Sequence, residues 1–346
     1  MNTNFSRLLP GLAIASLVVA AAWMVNAPAN FQLPIGRLSG SLLLGLLLGN
    51  LLPNLAKHCV DGTAFARRHV LRVAVVLYGF RLTFGDFERG GVSVLVTDIA
   101  MLATTFAIAM FVGVKLLKMS PLLSSLIGAG ASVCGASAVL ATAPVVRANA
   151  EQSSIAVATV VAYGVLGFIV YPALYHFDVI AALLPPGVNS WGLYIGSTVH
   201  EVGQVVAISN AVGGGITDQA VIAKMGRVAL LAPFLIALAL FHPSARETVE
   251  EDASVRSWRE FIPWLPLAFL AVVAVNSFVP LAGMNASISR LDEFLLAVAM
   301  ASLGISTRIT SLLSAGAKPM LLAGILFLWL VIGGALINGV VTSLFQ

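Results

Sequence analysis

Apolar runs of about twenty residues, the length needed to cross the hydrocarbon core of a bilayer, recur along the whole chain with short polar connections between them. On that ruler about eleven crossings are predicted, at approximately 8–26, 35–53, 70–86, 92–114, 121–146, 152–175, 188–211, 219–241, 261–279, 291–312 and 319–343. The third is the poorest, because Arg72 and Arg81 interrupt it around Leu77-Tyr78-Gly79-Phe80. Two stretches break the apolar pattern in a different way. Leu126–Ala141 holds Gly128, Gly130 and Gly135 with the small polar residues Ser132, Cys134 and Ser137, and Ile195–Ala207 places His200, Glu201 and Gln204 at mid-span. Loosened or polar backbone in lipid is tolerated only where protein buries it or an aqueous cavity runs beside it. Ionisable groups at that depth are functional candidates. The two stretches are therefore expected to form the walls of a substrate site.

Composition sharpens the class. Of 346 residues, 59% are hydrophobic and 10% charged, whereas a soluble domain carries about 25% charged residues. A water-facing surface cannot be built from this chain, so an all-α polytopic membrane protein is expected. The net charge of +4 is small and scattered, which excludes a nucleic-acid partner and leaves the bilayer as the surrounding phase. Lys57, Arg67, Arg68, Lys115, Lys118, Arg246, Arg256, Arg259 and Lys318 fall in alternate connections, so the positive-inside rule puts the N-terminus inside. Cys59 and Cys134 are too far apart in sequence to suggest a disulfide framework or a zinc site. Arg7, Leu8–Val25 and Ala27-Pro28-Ala29 have the layout of a signal peptide, yet the run is also long enough to span, and both readings stand. The connection His242–Glu260 is too short for a soluble domain and reads as a linker or surface helix.

If residues 1–30 form an extra helix, ten crossings remain, and residues 31–176 and 188–346 give five each in opposite orientations. That is the inverted-repeat plan of many secondary transporters, whose sites lie near the midplane at discontinuous helices. The fourth helix of the first half carries Gly128–Ala141. The fourth of the second half runs through Ala299–Thr310 with its own small, polar insert, Ser302-Leu303-Gly304-Ile305-Ser306-Thr307. A break is expected in both.

Helical spacing sets His200 above Gly196 and near Gln204, and sets Glu201 near Ser197, Thr198 and Gln204. This polar stripe is either a ligand wall or an interhelical hydrogen-bond network. Burial opposes charge on His200 and Glu201, while each charged form stabilises the other, so the pair is a candidate for carrying a coupling proton. His200-Glu201-Val202-Gly203-Gln204 lacks the second histidine of a zinc protease motif, and no metal or cofactor is expected. Ser132–Ser137 could unwind, turning free N–H groups and a helix N-terminus toward an anion, with close helix packing as the alternative. Cys134 is expected to be an inert lining residue, since apolar burial suppresses the thiolate. Arg147 should snorkel, Asp98 reads as an interfacial anchor or a proton relay, and Asn276 and Asn338 read as interhelical hydrogen-bond donors.

The motifs Gly-Ala-Ser-Val-Cys-Gly-Ala-Ser-Ala (130–138), Gly-Ser-Thr-Val-His-Glu-Val-Gly-Gln-Val (196–205), Leu77–Leu82 and Leu303–Thr307 resemble the YeiH-like family of sulfate exporters, proteins of the bacterial inner membrane. The resemblance covers nearly the whole chain. It implies two inverted five-helix repeats with crossed discontinuous helices, and export of sulfate or a related sulfur oxyanion. One departure matters: Ser306 and Thr307 precede Arg308, so the last broken helix offers no carboxylate of the kind many sodium–proton antiporters use. The expected function is secondary active export of a small anion, such as sulfate, sulfite or a sulfonate, coupled to protons or a cation. Ser132, Cys134, Gly135, Ser137, His200, Gln204, Gly304 and Ser306 would contact the anion, and His200 and Glu201 would carry the proton. Three alternatives stand beside it: a cation–proton antiporter using Glu201, an intramembrane enzyme with Cys134 as nucleophile and His200 as base, and a scaffold that transports nothing. The leading reading is not an enzyme. Analogy with related scaffolds allows a homodimer.

Overall fold

The computed structural model describes residues 5–25, 36–185, 188–213, 215–241, 264–279, 285–310 and 315–345. All regular structure among them is helical. The chain opens with α1 (Phe5–Val25), α2 (Arg37–Leu51), α3 (Pro53–His58), α4 (Val60–Phe65) and α5 (Leu71–Tyr78). Next come α6 (Phe84–Met110), kinked at Gly91 where φ is +53°, and α7 (Pro121–Ser132), α8 (Ala136–Thr142) and α9 (Ala150–His176). The second half holds α10 (Val188–Thr198), α11 (Val202–Val212), α12 (Thr217–Ala229), α13 (Leu231–Phe241), α14 (Trp264–Phe278), α15 (Asn285–Ser306), α16 (Ala317–Leu328) and α17 (Gly334–Phe345). Among the described residues, five segments are continuous and apolar enough to cross a membrane: Ser6–Val25, Gly91–Leu116, Ala150–His176, Thr217–Leu240 and Ala317–Phe345. The other expected crossings fall on shorter or interrupted helices. The connection His242–Glu260 lies outside the described residues.

The chain folds as two compact units that interleave in sequence. The first comprises Met1–Arg89, Val206–Asp218 and Leu267–Ser311; the second comprises Gly90–Val205, Gln219–Pro266 and Leu312–Gln346. Each draws on both of the sequence halves 31–176 and 188–346.

Small residues assemble the first unit. With lipid tails as apolar as leucine, helices gain from close backbone approach and interhelical hydrogen bonds rather than from leaving lipid. Gly45 and Gly49 of α2 lie against the carbonyls of Ala301 and Ile305 in α15, and Gly304 lies against that of Leu42. Gly11 of α1 meets α4 in the same way; a Cβ on it would fall 2.7 Å from the Gly62 Cα. The break expected within Ala299–Thr310 falls at Thr307 and Arg308, which are not helical, before helix resumes at Ile309; it lies just past the small insert and not inside it. α15 is unbroken through Ser306, because its small residues admit α2 rather than unwind. The Ser306 hydroxyl donates to the Ser302 carbonyl (2.8 Å) and that of Thr307 to Leu303 (2.7 Å). Asn50 closes this end, donating to the carbonyls of Leu46 (2.8 Å) and Thr307 (2.9 Å) and accepting from the Ile309 N–H (3.0 Å).

Arg81, which spoils the third apolar run, has a buried partner in this unit. Its Nη2 lies 2.8 Å from Asp292 Oδ2 and donates to the Ser289 carbonyl at 2.8 Å. Its guanidinium carbon sits 4.9 Å from the centroid of the Tyr78 ring, whose hydroxyl donates to Asp218 (2.8 Å). Asn276 donates to the Leu82 carbonyl at 3.0 Å, the interhelical role expected of it.

In the second unit, helix starts follow the sequence. Ser120 caps α7, accepting from the Leu123 N–H (3.2 Å), and Pro121 takes the first position, where a missing N–H costs nothing. Asn149 and Gln152 form a reciprocal capping box at the start of α9. Tyr163 and Tyr194 tie α9 and α10 to the last long helix through the Met320 and Val331 carbonyls, each at 3.0 Å. Asn338 donates to Ser197 at 3.0 Å, again as expected. These helices frame the two interruptions.

Candidate functional site

Two helices of the second unit stop in mid-course. α7 ends at Ser132 and the chain resumes as α8 at Ala136; α10 ends at Thr198 and resumes as α11 at Val202. At the first break the Gly135 backbone takes φ +68° and ψ −136°, a conformation essentially reserved for glycine. The GASVCGASA motif therefore unwinds at Gly135.

Each interruption exposes backbone. The last carbonyls of a helix have no partner within it, and an unpaired carbonyl in a low-dielectric interior is costly. Two side chains of α12 supply the donors. Arg227 donates from Nε to the Ser132 carbonyl (2.6 Å), from Nη2 to Ala131 (2.6 Å) and from Nη1 to Ser197 (2.5 Å). The Lys224 ammonium donates to Val133 and Val199, both at 2.7 Å. Both residues are fully buried. Each cation therefore reaches both broken helices, so α7 and α10 end at one place.

The opposite pole of the crossing has another character. A Cβ on Gly135, the residue before α8, would lie 2.7 Å from the Glu201 Cγ and 3.1 Å from its Oε1. Glu201 immediately precedes α11, and its N–H donates to Gln204 Oε1 at 3.3 Å. So the amino ends of the two resumed segments meet at the Glu201 carboxylate. Helix ends carry about half a charge, positive at the amino and negative at the carbonyl end. Lys224 and Arg227 thus face two negative ends, and Glu201 faces two positive ones. Asp98 of α6, fully buried, lies beside the cations: a Cβ on Gly226, between Lys224 and Arg227 in sequence, would fall 2.9 Å from its Oδ2.

The expected site residues separate. Gly135, Glu201 and Gln204 come together, with the Gln204 amide against Gly164, where a Cβ would lie 2.6 Å from Nε2. Ser137 is exposed, one residue into α8. Ser132 is buried and its hydroxyl donates to the Gly128 carbonyl (2.5 Å), so it acts within its own helix. Cys134 is buried at the break. His200 stacks on Phe327, with ring centroids 6.4 Å apart and planes 16° apart. Gly304 and Ser306 belong to the first unit, where α2 and the Ser302 carbonyl are their neighbours.

Lys224 and Arg227 were not among the residues the sequence singled out, although two cations three apart inside the run 219–241 carry the same signal of ionisable groups at depth. Asp98 is neither exposed nor interfacial but sealed in the interior.

Such an architecture is that of a multi-pass α-helical membrane protein organised around two interrupted helices, their carbonyl ends joined by buried cations. The chain belongs to the family described as conserved hypothetical protein 698, whose sequence model matches residues 10–323. It is 42% identical to the UPF0324 inner membrane protein YeiH of Escherichia coli (strain K12) over 341 residues, 97% of this chain and 95% of that protein. It is also 42% identical to the UPF0324 membrane protein PA5383 of Pseudomonas aeruginosa over 335 residues, covering 96% and 94% of the two chains. A UPF0324 membrane protein of Yersinia pestis is 40% identical over 340 residues, 97% of this chain and 93% of that one. The chain is accordingly a YeiH-like, multi-pass protein of the inner membrane.

Proposed function

We propose that the protein is a secondary active transporter that exports a small oxyanion of the sulfate, sulfite or sulfonate class, with proton coupling through Glu201. One observation carries the reading: the two breaks meet with their carbonyl ends neutralised by Lys224 and Arg227, while the amino ends face Glu201 beside Gly135. The cations are engaged by backbone, so they do not serve as anion ligands. An anion instead meets the electropositive pole, where Ser137 is exposed and Glu201 is partly so. There a Glu201 carboxylate and an incoming anion are like charges at one place, and protonation of Glu201 favours anion entry. The oxyanion class follows from the motif resemblance.

The same pole weighs against the cation–proton antiporter, since two helix amino ends repel a cation. Transport is favoured over intramembrane catalysis because Cys134 is buried and His200 is stacked on Phe327. The test is flux of sulfate, sulfite and a small sulfonate into proteoliposomes, with and without a pH gradient. One of the three should move, and faster with protons and anion on the same side. Glu201→Gln should keep flux but flatten its pH dependence. Flux of none, or flux of sodium or potassium instead, would overturn the reading.

A further inference from the structure

Asp98 is not used by the transport reading, and its surroundings are unusual for a carboxyl group. It has no exposed surface, and neither Oδ1 nor Oδ2 has a hydrogen-bond donor among the described residues. Buried polar groups are normally hydrogen-bonded, and a buried carboxylate that is a permanent ion normally receives charge-assisted donors. Two cations are close by, yet Lys224 and Arg227 direct their hydrogen bonds to five backbone carbonyls and none to Asp98. Gly226 holds the space between them; a side chain there would press on Oδ2 at 2.9 Å.

Asp98 therefore has two accessible states. In one it is the neutral acid, which burial favours. In the other it is an anion compensated through space by Lys224 and Arg227, which their charge favours. The other titratable groups facing the two cations are Cys134 at the first break, Tyr171 of α9, and His200 and Glu201 at the second. Among the described residues, the charges set beside Asp98 are those of Lys224 and Arg227.

We propose that Asp98 is a proton-binding site sealed under the crossing, protonated while Lys224 and Arg227 are held by the carbonyl ends and deprotonated when either turns toward it. The O–H bond forms and breaks with a proton from water, and no other reactant is needed. The carboxyl is a different one from Glu201, which lies at the amino ends and shares only the neighbouring charge of Lys224, and the inference holds whichever solute crosses.

Infrared difference spectroscopy on the purified full-length protein, titrated with pH and repeated in D2O, reads buried carboxylic acids directly. The expected result is a protonated-carboxyl band that titrates, that is lost in Asp98→Asn and that remains in Glu201→Gln. No titrating band, one that survives Asp98→Asn, or one lost in Glu201→Gln would overturn the proposal. Should Asp98→Asn not fold, Gly226→Ala decides: crowding of Oδ2 must move the titration midpoint of the band, and an unmoved midpoint overturns the assignment. A flux experiment that fails leaves this spectrum unaffected, so the two proposals fail separately.

Discussion

Gly135 shows how much one residue can determine. Its φ of +68° and ψ of −136° suit a residue with no Cβ, and the space a Cβ would need is taken by the Glu201 side chain at 2.7 Å. Gly135→Ala should therefore cost about 1–3 kcal/mol from backbone strain alone, read as a lower unfolding temperature in detergent. Replacing the exposed Ser137 by alanine should leave that temperature nearly unchanged, which separates strain from loss of a small polar group. Residue chemistry in the sequence pointed to the two stretches that carry interruptions, but not to the way each side chain turns there. Ser132 and Ser137 look alike in the motif, yet one hydroxyl is satisfied by the Gly128 carbonyl and the other is exposed. His200 and Glu201 are adjacent, yet one stacks on Phe327 and the other meets Gly135. Which way a side chain turns at a break depends on local unwinding, and helical spacing cannot supply that.

At the scale of elements, four half-helices and α12 form one device. The break at 133–135 was legible, because glycine with small polar residues has no place in a plain span. The one at 199–201 was not, since His200, Glu201 and Gln204 were placed by the spacing of an unbroken helix. The break expected near Ser302–Thr307 comes at the far edge of that insert, at Thr307 and Arg308. Glycine and serine there look the same on paper, but the first unit uses them to seat α2 on α15. Small residues in a span signal either unwinding or close approach, and only the partner helix decides which. With breaks in 121–142, in 188–212 and at 307–308, the interruptions fall in the fourth crossing of each half and in the first of the second. The role of α12 was not legible because its cations answer carbonyls that exist only once the other helices have broken. That dependence makes a prediction. Arg227→Lys keeps the charge but cannot present a planar fork to three carbonyls, so at least two acceptors lose their donors. The expected loss is on the order of 2–5 kcal/mol, measured as a shift in thermal unfolding. An unchanged unfolding temperature would mean that the guanidinium does not bridge the two helices.

Across the whole molecule, the class followed directly from composition: a chain with 10% charged residues cannot cover itself with water-soluble surface. Its few ions are concentrated instead. Arg81 and Asp292 pair in the first unit, while Lys224, Arg227, Asp98 and Glu201 gather in the second, each beside a charge or a helix end of opposite sign. The organisation into interleaved units was less visible, since it rests on contacts between segments hundreds of residues apart. The account as a whole requires that the amino pole of the crossing be open to water while the carbonyl pole is sealed. The most direct test is the rate at which a membrane-impermeant thiol reagent modifies single cysteines in a Cys59→Ser, Cys134→Ala background. Ser137→Cys should react and be slowed by the transported oxyanion, and Ser132→Cys should stay inert. A Ser137→Cys variant that reacts only with lipid-soluble reagents, or a Ser132→Cys variant that reacts equally fast in water, would contradict it.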